Sequence, residues 1–192
     1  KINKDCGTNV PGLYAGGNGA DQCRSLHMAV TSGIHAGRMA AHYCASLASA
    51  PEPDEAQIQR IHERVYAPLD PERSIGWKEF EMTLQRILTE GAGPCRTEKK
   101  LLRAKEKLEQ VQAASGLVGA KDLLDLLRLH EVHNLLTIGR CTVDAALYRQ
   151  ESRFGNCHFR EDFPEQDDER FLGQVVVSAE SDGRLKLELR RT

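Results

Sequence analysis

The densest set of residues able to do chemistry is a glycine cluster near the amino end. Within Pro11-Gly12-Leu13-Tyr14-Ala15-Gly16-Gly17-Asn18-Gly19-Ala20 a four-residue strand candidate runs into three glycines and then toward a helix. Glycine lets the backbone turn tightly and approach a ligand. N–H groups at a helix start, where the dipole adds roughly half a positive charge, suit the polar groups of a cofactor. The cluster lacks GxGxxG spacing, so by itself it also reads as an ordinary strand-to-helix connection.

Other reactive residue types are scattered. His35 and His42 repeat on one helix at i and i+7, and His130 and His133 on another at i and i+3, without carboxylates or thiolates at ligand spacing; they read as structural or exposed. Glu151, Arg153, His158 and Arg160 read as a structural polar network, because buried charges need partners. The six cysteines, Cys6, Cys23, Cys44, Cys95, Cys141 and Cys157, lie far apart, without CxxC pairs or Cys/His clusters of zinc or iron–sulfur spacing. They read as reduced thiols of a cytoplasmic protein.

The elements that must position these residues follow from periodicity. A helix is expected from about Met28 to Leu47, with Ala29, Gly33, Ala36 and Ala40 leaving one face almost bare, so that something must pack close to it. Ala48 to Pro53, with two prolines and a serine, reads as a linker. Beyond it Ile58, Ile61, Val65 and Leu69 form one helical stripe, Trp77, Phe80, Leu84 and Ile87 a second, and Leu101, Leu108 and Val111 a third. Ser74 and Thr97 are candidate caps. A longer helix is expected over about Lys121 to Arg149, ~40 Å at ~1.5 Å per residue. Gly173 to Ala179 and Arg184 to Arg190 alternate apolar and polar residues around Ser181-Asp182-Gly183, which predicts a hairpin.

With 192 residues and 40% hydrophobic content the chain can bury a core. Lys and Arg number 26 against 28 Asp and Glu, so no net field points to nucleic acid or to an acidic membrane surface. No apolar run approaches the ~20 residues needed to cross a bilayer, so direct membrane insertion is not expected. The first residues have no initiator Met and read as the middle of something longer.

Two separated motifs carry a family resemblance. Thr8-Asn9-Val10-Pro11-Gly12-Leu13-Tyr14-Ala15-Gly16-Gly17, followed by Ser32-Gly33 and Gly37-Arg38-Met39-Ala40-Ala41, resembles the last FAD-contacting segment of the fumarate reductase and succinate dehydrogenase flavoprotein family, to which L-aspartate oxidase and the alpha subunit of adenylylsulfate reductase also belong. Asn134-Leu135-Leu136, Ala145 to Arg153, and His158-Phe159-Arg160-Glu161-Asp162-Phe163-Pro164 with Asp167-Asp168 resemble the carboxy-terminal signature of the same proteins. The Arg153 to His158 spacing exceeds the compact Glu-Ser-Arg-Gly-x-His of the dehydrogenases and looks nearer the adenylylsulfate reductase branch.

The resemblance implies FAD as cofactor, with Gly16, Gly17 and Asn18 on the cofactor and the backbone of Ala29 and Val30 near the flavin O2. Asn18 stands where the family usually has Glu or Asp bonded to the ribityl chain, and it can still pair with a hydroxyl. The family's His-Gly-Ala-Asn-Arg string is lacking. Counting back from Gly37-Arg38 puts Arg24 opposite the substrate-binding Arg of the dehydrogenases, whereas matching the shorter loop of the adenylylsulfate reductase branch makes His27 the counterpart of its active-site His. Both are candidate catalytic residues.

The fold class that emerges is α+β and mostly helical. Residues 1–50 are expected to be the last strand-helix piece of an FAD-binding domain, 51–150 a bundle of three to four helices, and 151–192 a tail with a β-hairpin. The implied function is that of the carboxy-terminal portion of an FAD-dependent oxidoreductase subunit, inactive without the upstream FAD-binding and capping domains and docking an iron–sulfur electron-transfer subunit. The alternative is a non-catalytic helical interaction module that kept the family scaffold.

Overall fold

Residues 2–20, 25–73, 75–154, 157–180 and 183–191 are described by a computed structural model, Ala20 by its backbone only. Residues up to Glu55 form one compact unit, and residues from Ala56 onward a second.

In the first unit the expected strand is reduced to a single antiparallel bridge between Gly7 and Tyr14. The reason is local turn chemistry. Asn3 Oδ1 accepts from the amides of Asp5 and Gly7, each at 2.9 Å, which curls the segment before it can extend. The Leu13 amide then donates to Val10 O at 3.1 Å, with Gly12 at φ +80°. Proline second and a positive-φ glycine third define a type II turn. A strand needs a neighbour along its length, and the bridge to Gly7 is the only ladder contact of Tyr14 among the described residues.

Helix α1 (Leu26–Ser46) follows a 3₁₀ turn at Gly17–Ala20. Its small-residue face is unevenly used: Ala36 is buried, Ala29 and Ala40 are half-buried, and Gly33 and Gly37 face open space. Close packing does occur at one point, because a Cβ on Gly16 would lie 3.1 Å from backbone atoms of Ser32 and Gly33.

The second unit takes up α2 (Glu55–Tyr66) from its second residue and contains β1 (Ile75–Gly76), α3 (Trp77–Ala92), β2 (Cys95–Arg96), α4 (Glu98–Ala114), β3 (Val118–Gly119) and α5 (Leu123–Tyr148). The tail adds β4 (Phe159–Arg160), the single turn α6 (Asp168–Phe171), β5 (Gln174–Ala179) and β6 (Leu185–Arg190). The core lies among α3, α4 and α5, where Phe80, Leu84, Ile87, Leu101, Leu108, Leu129, Leu136 and Val143 are buried together. On α5 the buried positions 129, 132, 136, 139, 143 and 146 advance by alternating threes and fours, the spacing of a seam packed on two neighbours. Each such large apolar side chain contributes roughly 1.5–3 kcal/mol by leaving water.

Two of the three expected stripes build this core. The first does not: Ile58 is 51% and Ile61 43% exposed, Leu69 is exposed, and α2 buries no residue. Periodicity defines an apolar face, but burial also needs a facing element. What ties α2 down is its carboxy end, where His130 bonds Val65 O at 2.9 Å and the Ala120 amide donates to Pro68 O at 2.8 Å.

The caps follow side-chain chemistry. Thr97 Oγ1 accepts from the Lys100 amide at 3.2 Å and Asp122 Oδ1 from that of Asp125 at 2.8 Å. Ser74, the other candidate cap, lies outside the described residues, as do Ser181 and Asp182 of the expected hairpin turn. The hairpin itself is present, β5 pairing with β6 antiparallel from Gln174↔Arg190 to Ala179↔Leu185. Short parallel pairs, β1 with β3 and β2 with β4, lash the helix ends together. Among the described residues no helix is long and apolar enough to cross a membrane.

Candidate functional site

The glycine cluster is held on α1 by one side chain. Ser32 Oγ accepts the Gly17 amide at 2.9 Å and donates to Met28 O at 2.9 Å. Gly17 is buried at φ +66°, a conformation that favours glycine. A Cβ at Gly16 would press on the same turn of the helix, so the loop sits against α1 with no room for a side chain. The sequence places Ser32 in the motif that carries the family resemblance, without a role of its own.

Past the loop, Asn18 is exposed and its side-chain amide makes no hydrogen bond among the described residues. Ser25 is the N-cap of α1 and its side chain does not cap. The amides of Leu26, His27 and Met28 therefore have no partner among the described residues, as expected for a helix's first turn. The Ala29 amide already donates to Ser25 O at 3.1 Å. Val30 comes one residue further into the helix and is 53% exposed. His27 is exposed, with Nε2 3.4 Å from Ser25 Oγ. Arg24 lies outside the described residues.

These residues fit a flavin dinucleotide. Gly16 and Gly17 bring the loop backbone against α1, and among the described residues Asn18 has an unbonded side-chain amide and the first turn of α1 has N–H donors without a partner, with the positive end of the helix dipole behind them.

A second polar constellation lies in the tail and is closed. Glu151, fully buried, accepts from Arg149, from Arg153 Nε and Nη2 at 2.8 and 2.9 Å, and from the Asp167 amide at 2.8 Å. Burial pushes this carboxyl up, and the bonds from Arg153, the Asp167 amide and Arg149 outweigh it, leaving it below the ordinary carboxylate range. Arg160, 1% exposed, forms a two-pronged bond to Asp162, both contacts at 2.8 Å, and donates to Ala146 O at 2.7 Å. The Arg160 fork holds Asp162 down at about 2. No buried side-chain N or O among the described residues lacks a hydrogen-bond partner. A network whose buried polar atoms are all bonded holds structure. The sequence pointed to Glu151, Arg153, His158 and Arg160, with Arg149 inside the neighbouring motif, but not to Arg96, which joins them from 62 residues away.

Residues 81–192 match the family model described as Fumarate reductase flavoprotein C-term. The chain belongs to the fumarate reductase flavoprotein family. Relatives span the whole match: L-aspartate oxidase of Streptomyces coelicolor is 33% identical over 93% of this chain and 32% of its own length. The fumarate reductase flavoprotein subunit of Mycobacterium tuberculosis is 30% identical over 94% of this chain and 34% of its own. The chain thus spans about a third of the length of the curated relatives it matches. Among solved structures, quinol fumarate reductase of E. coli superposes with a TM-score of 0.85 at 26% identity, covering 99% of this chain and 35% of that one. Adenylylsulfate reductase of Archaeoglobus fulgidus shares the fold, with a TM-score of 0.76 at 23% identity over 86% of this chain and 29% of its own. These matches favour the flavoprotein reading over the interaction-module alternative.

Proposed function

We propose that the chain is the carboxy-terminal portion of a cytoplasmic FAD-dependent oxidoreductase subunit, in which residues 1–50 complete a flavin site, 51–150 form the helical domain and 151–192 the tail. The observation that carries this reading is the Gly17–Ser32 contact at 2.9 Å, which seats a glycine loop on α1 near first-turn amides that have no partner among the described residues. Bound FAD would supply the hydride or electron-pair transfer. Gly16 and Gly17 would admit the cofactor, Asn18 would bond a ribityl hydroxyl, and the first turn of α1, with Ala29 and Val30 behind it, would favour negative charge on the ring. Arg24 would hold an anionic group of the substrate and His27 would approach it from the helix start. The chain by itself would be inactive. Its partners would be the upstream FAD-binding and capping domains and an iron–sulfur electron-transfer subunit, docked on the helical domain and tail.

The test is the visible spectrum of the full-length subunit: a flavin band is expected, and its absence sinks the proposal. With flavin bound, Arg24→Ala and His27→Ala are assayed against fumarate, succinate and adenylylsulfate. At least one variant should lose turnover while keeping its flavin band; full turnover in both removes the two assignments.

A further inference from the structure

An imidazole bonded through both nitrogens has its protonation state fixed by what those partners can do. Arg96 Nη1 lies 2.9 Å from His158 Nδ1, and a guanidinium can only donate, so Nδ1 accepts. On the other edge Nε2 lies 3.1 Å from Arg149 O, and a carbonyl can only accept, so Nε2 carries the hydrogen. The ring is 7% exposed. Its neutral Nε2–H form satisfies both contacts, and the doubly protonated form would turn an N–H toward the Arg96 donor.

The charges around the ring point the same way. Arg96 comes from β2, Arg149 from the end of α5 and Arg160 from β4, three cations facing one imidazole. The network's carboxylates are engaged elsewhere: Glu151 with Arg149 and Arg153, Asp162 with Arg160, Asp168 with Arg153. Cys157, the preceding residue, faces Arg96 as well. Burial is the largest influence holding the His158 pKa below its ordinary value; the Arg149 carbonyl opposes it, and the three arginines add to it.

His158 also occupies a junction. Through Arg96 it reaches the strand that pairs with β4, since Arg96 pairs with Arg160 and accepts the Glu161 amide at 2.9 Å. Arg96 Nε also caps the end of α3, donating to Ala92 O at 3.1 Å and Gly93 O at 3.0 Å. Through Arg149 O the ring touches the end of α5. We propose that His158 is an acid-sensitive latch, holding the tail residues 149–154 and 157–163 to the ends of α3 and α5 while neutral and loosening them when protonated.

The sign follows from linkage. The opened segment takes up a proton at the ordinary histidine value of 6.5, the closed one only at lower pH, so opening becomes easier as pH falls below about 6.5. One proton taken up changes the opening constant by at most about tenfold per pH unit. His133 on α5 is shifted in the same direction, by burial and then by His130, but it packs edge-on to Phe80, so its protonation acts on the bundle and not on the tail.

The test is amide hydrogen exchange, corrected for intrinsic rates, on the full-length subunit from pH 7.5 to 5.5. Protection in 149–154 and 157–163 should fall by up to about tenfold, and by clearly more than in α4. A flat profile in these residues, or an equal fall in α4, overturns the latch. His158→Gln keeps an acceptor for Arg96 and a donor for Arg149 O without titrating, and its profile should be flat; a retained fall overturns the assignment to His158. Nitrogen chemical shifts of the His158 ring in the unmutated protein provide a check independent of the variant's folding: the Nε2–H tautomer is expected at pH 7.5, and Nδ1–H overturns the proposal.

Discussion

Arg160 and Asp162 face each other across two contacts of 2.8 Å, and the same carboxylate accepts the Glu98 amide at 2.7 Å in the first turn of α4. One ion pair therefore fixes the tail and starts a bundle helix. Asp162→Ala would leave the Arg160 guanidinium buried without its counter-ion, which costs about 3–5 kcal/mol. Chemical denaturation at neutral pH checks this; a change below about 1 kcal/mol would show that the pair contributes little.

The same pair sets an acid limb. Asp162 titrates at about 2 in the folded chain against an ordinary 3.8, so its contribution is present above 3.8 and is lost as pH falls toward 2. Asp162→Asn should reduce the slope of stability against pH across that window, with the slope below pH 4 measured for both proteins; Glu151 and Asp168, also lowered, supply the remainder. This window opens at 3.8, whereas the His158 effect sets in at 6.5, so the onsets of the two effects separate.

Gly91 on α3 meets Ala104 on α4 so closely that a methyl group at Gly91 would overlap the Ala104 side chain and crowd Lys100 O. Gly91→Ala should therefore destabilise by roughly 1–3 kcal/mol despite alanine's better helix propensity. Adding Ala104→Gly should recover part of that loss; simple additivity in the double-mutant cycle would place the strain elsewhere.

Much of this was legible in the sequence because helix–helix cores advertise themselves. Phe80, Leu84 and Ile87, and Leu101 and Leu108, repeat at helical spacing and are buried where that spacing puts them. The alternation on either side of Gly183 likewise announces β5 and β6. Contacts between distant positions were not legible. Arg96 meets His158 across 62 residues, and no local pattern reports such a pairing. The strand expected ahead of Gly16 failed for a related reason, since extension depends on a neighbour and Asn3 supplies a turn instead. Near the glycine cluster, residue types indicated a bare loop, while the seating of Gly17 on Ser32 needed the three-dimensional turn of α1.

Gly16 gives the flavin proposal a structural handle. Its missing side chain is required by the Ser32–Gly33 backbone, 3.1 Å from where a Cβ would sit. Gly16→Val should push the loop off α1, and the full-length subunit should retain at most about a tenth of its flavin, a loss equivalent to ~1.4 kcal/mol of binding. Flavin content per subunit by absorbance decides it. Undiminished content would mean that the loop does not touch the cofactor.

The contrast between α2 and α5 yields a last comparison, because both have apolar stripes and only that of α5 is buried. Leu136 is buried on α5 against the bundle, and its replacement by alanine should cost about 2–5 kcal/mol through lost transfer energy and the cavity left behind. Ile61, on an equally regular stripe of α2, is 43% exposed and leaves little unfilled space when shortened. Ile61→Ala in this chain should change stability by no more than about 0.5 kcal/mol, the usual range for surface positions. Denaturation midpoints of the two variants, measured side by side, test whether periodicity or an actual facing element sets the energy. Equal losses would mean that α2 is packed as firmly as α5.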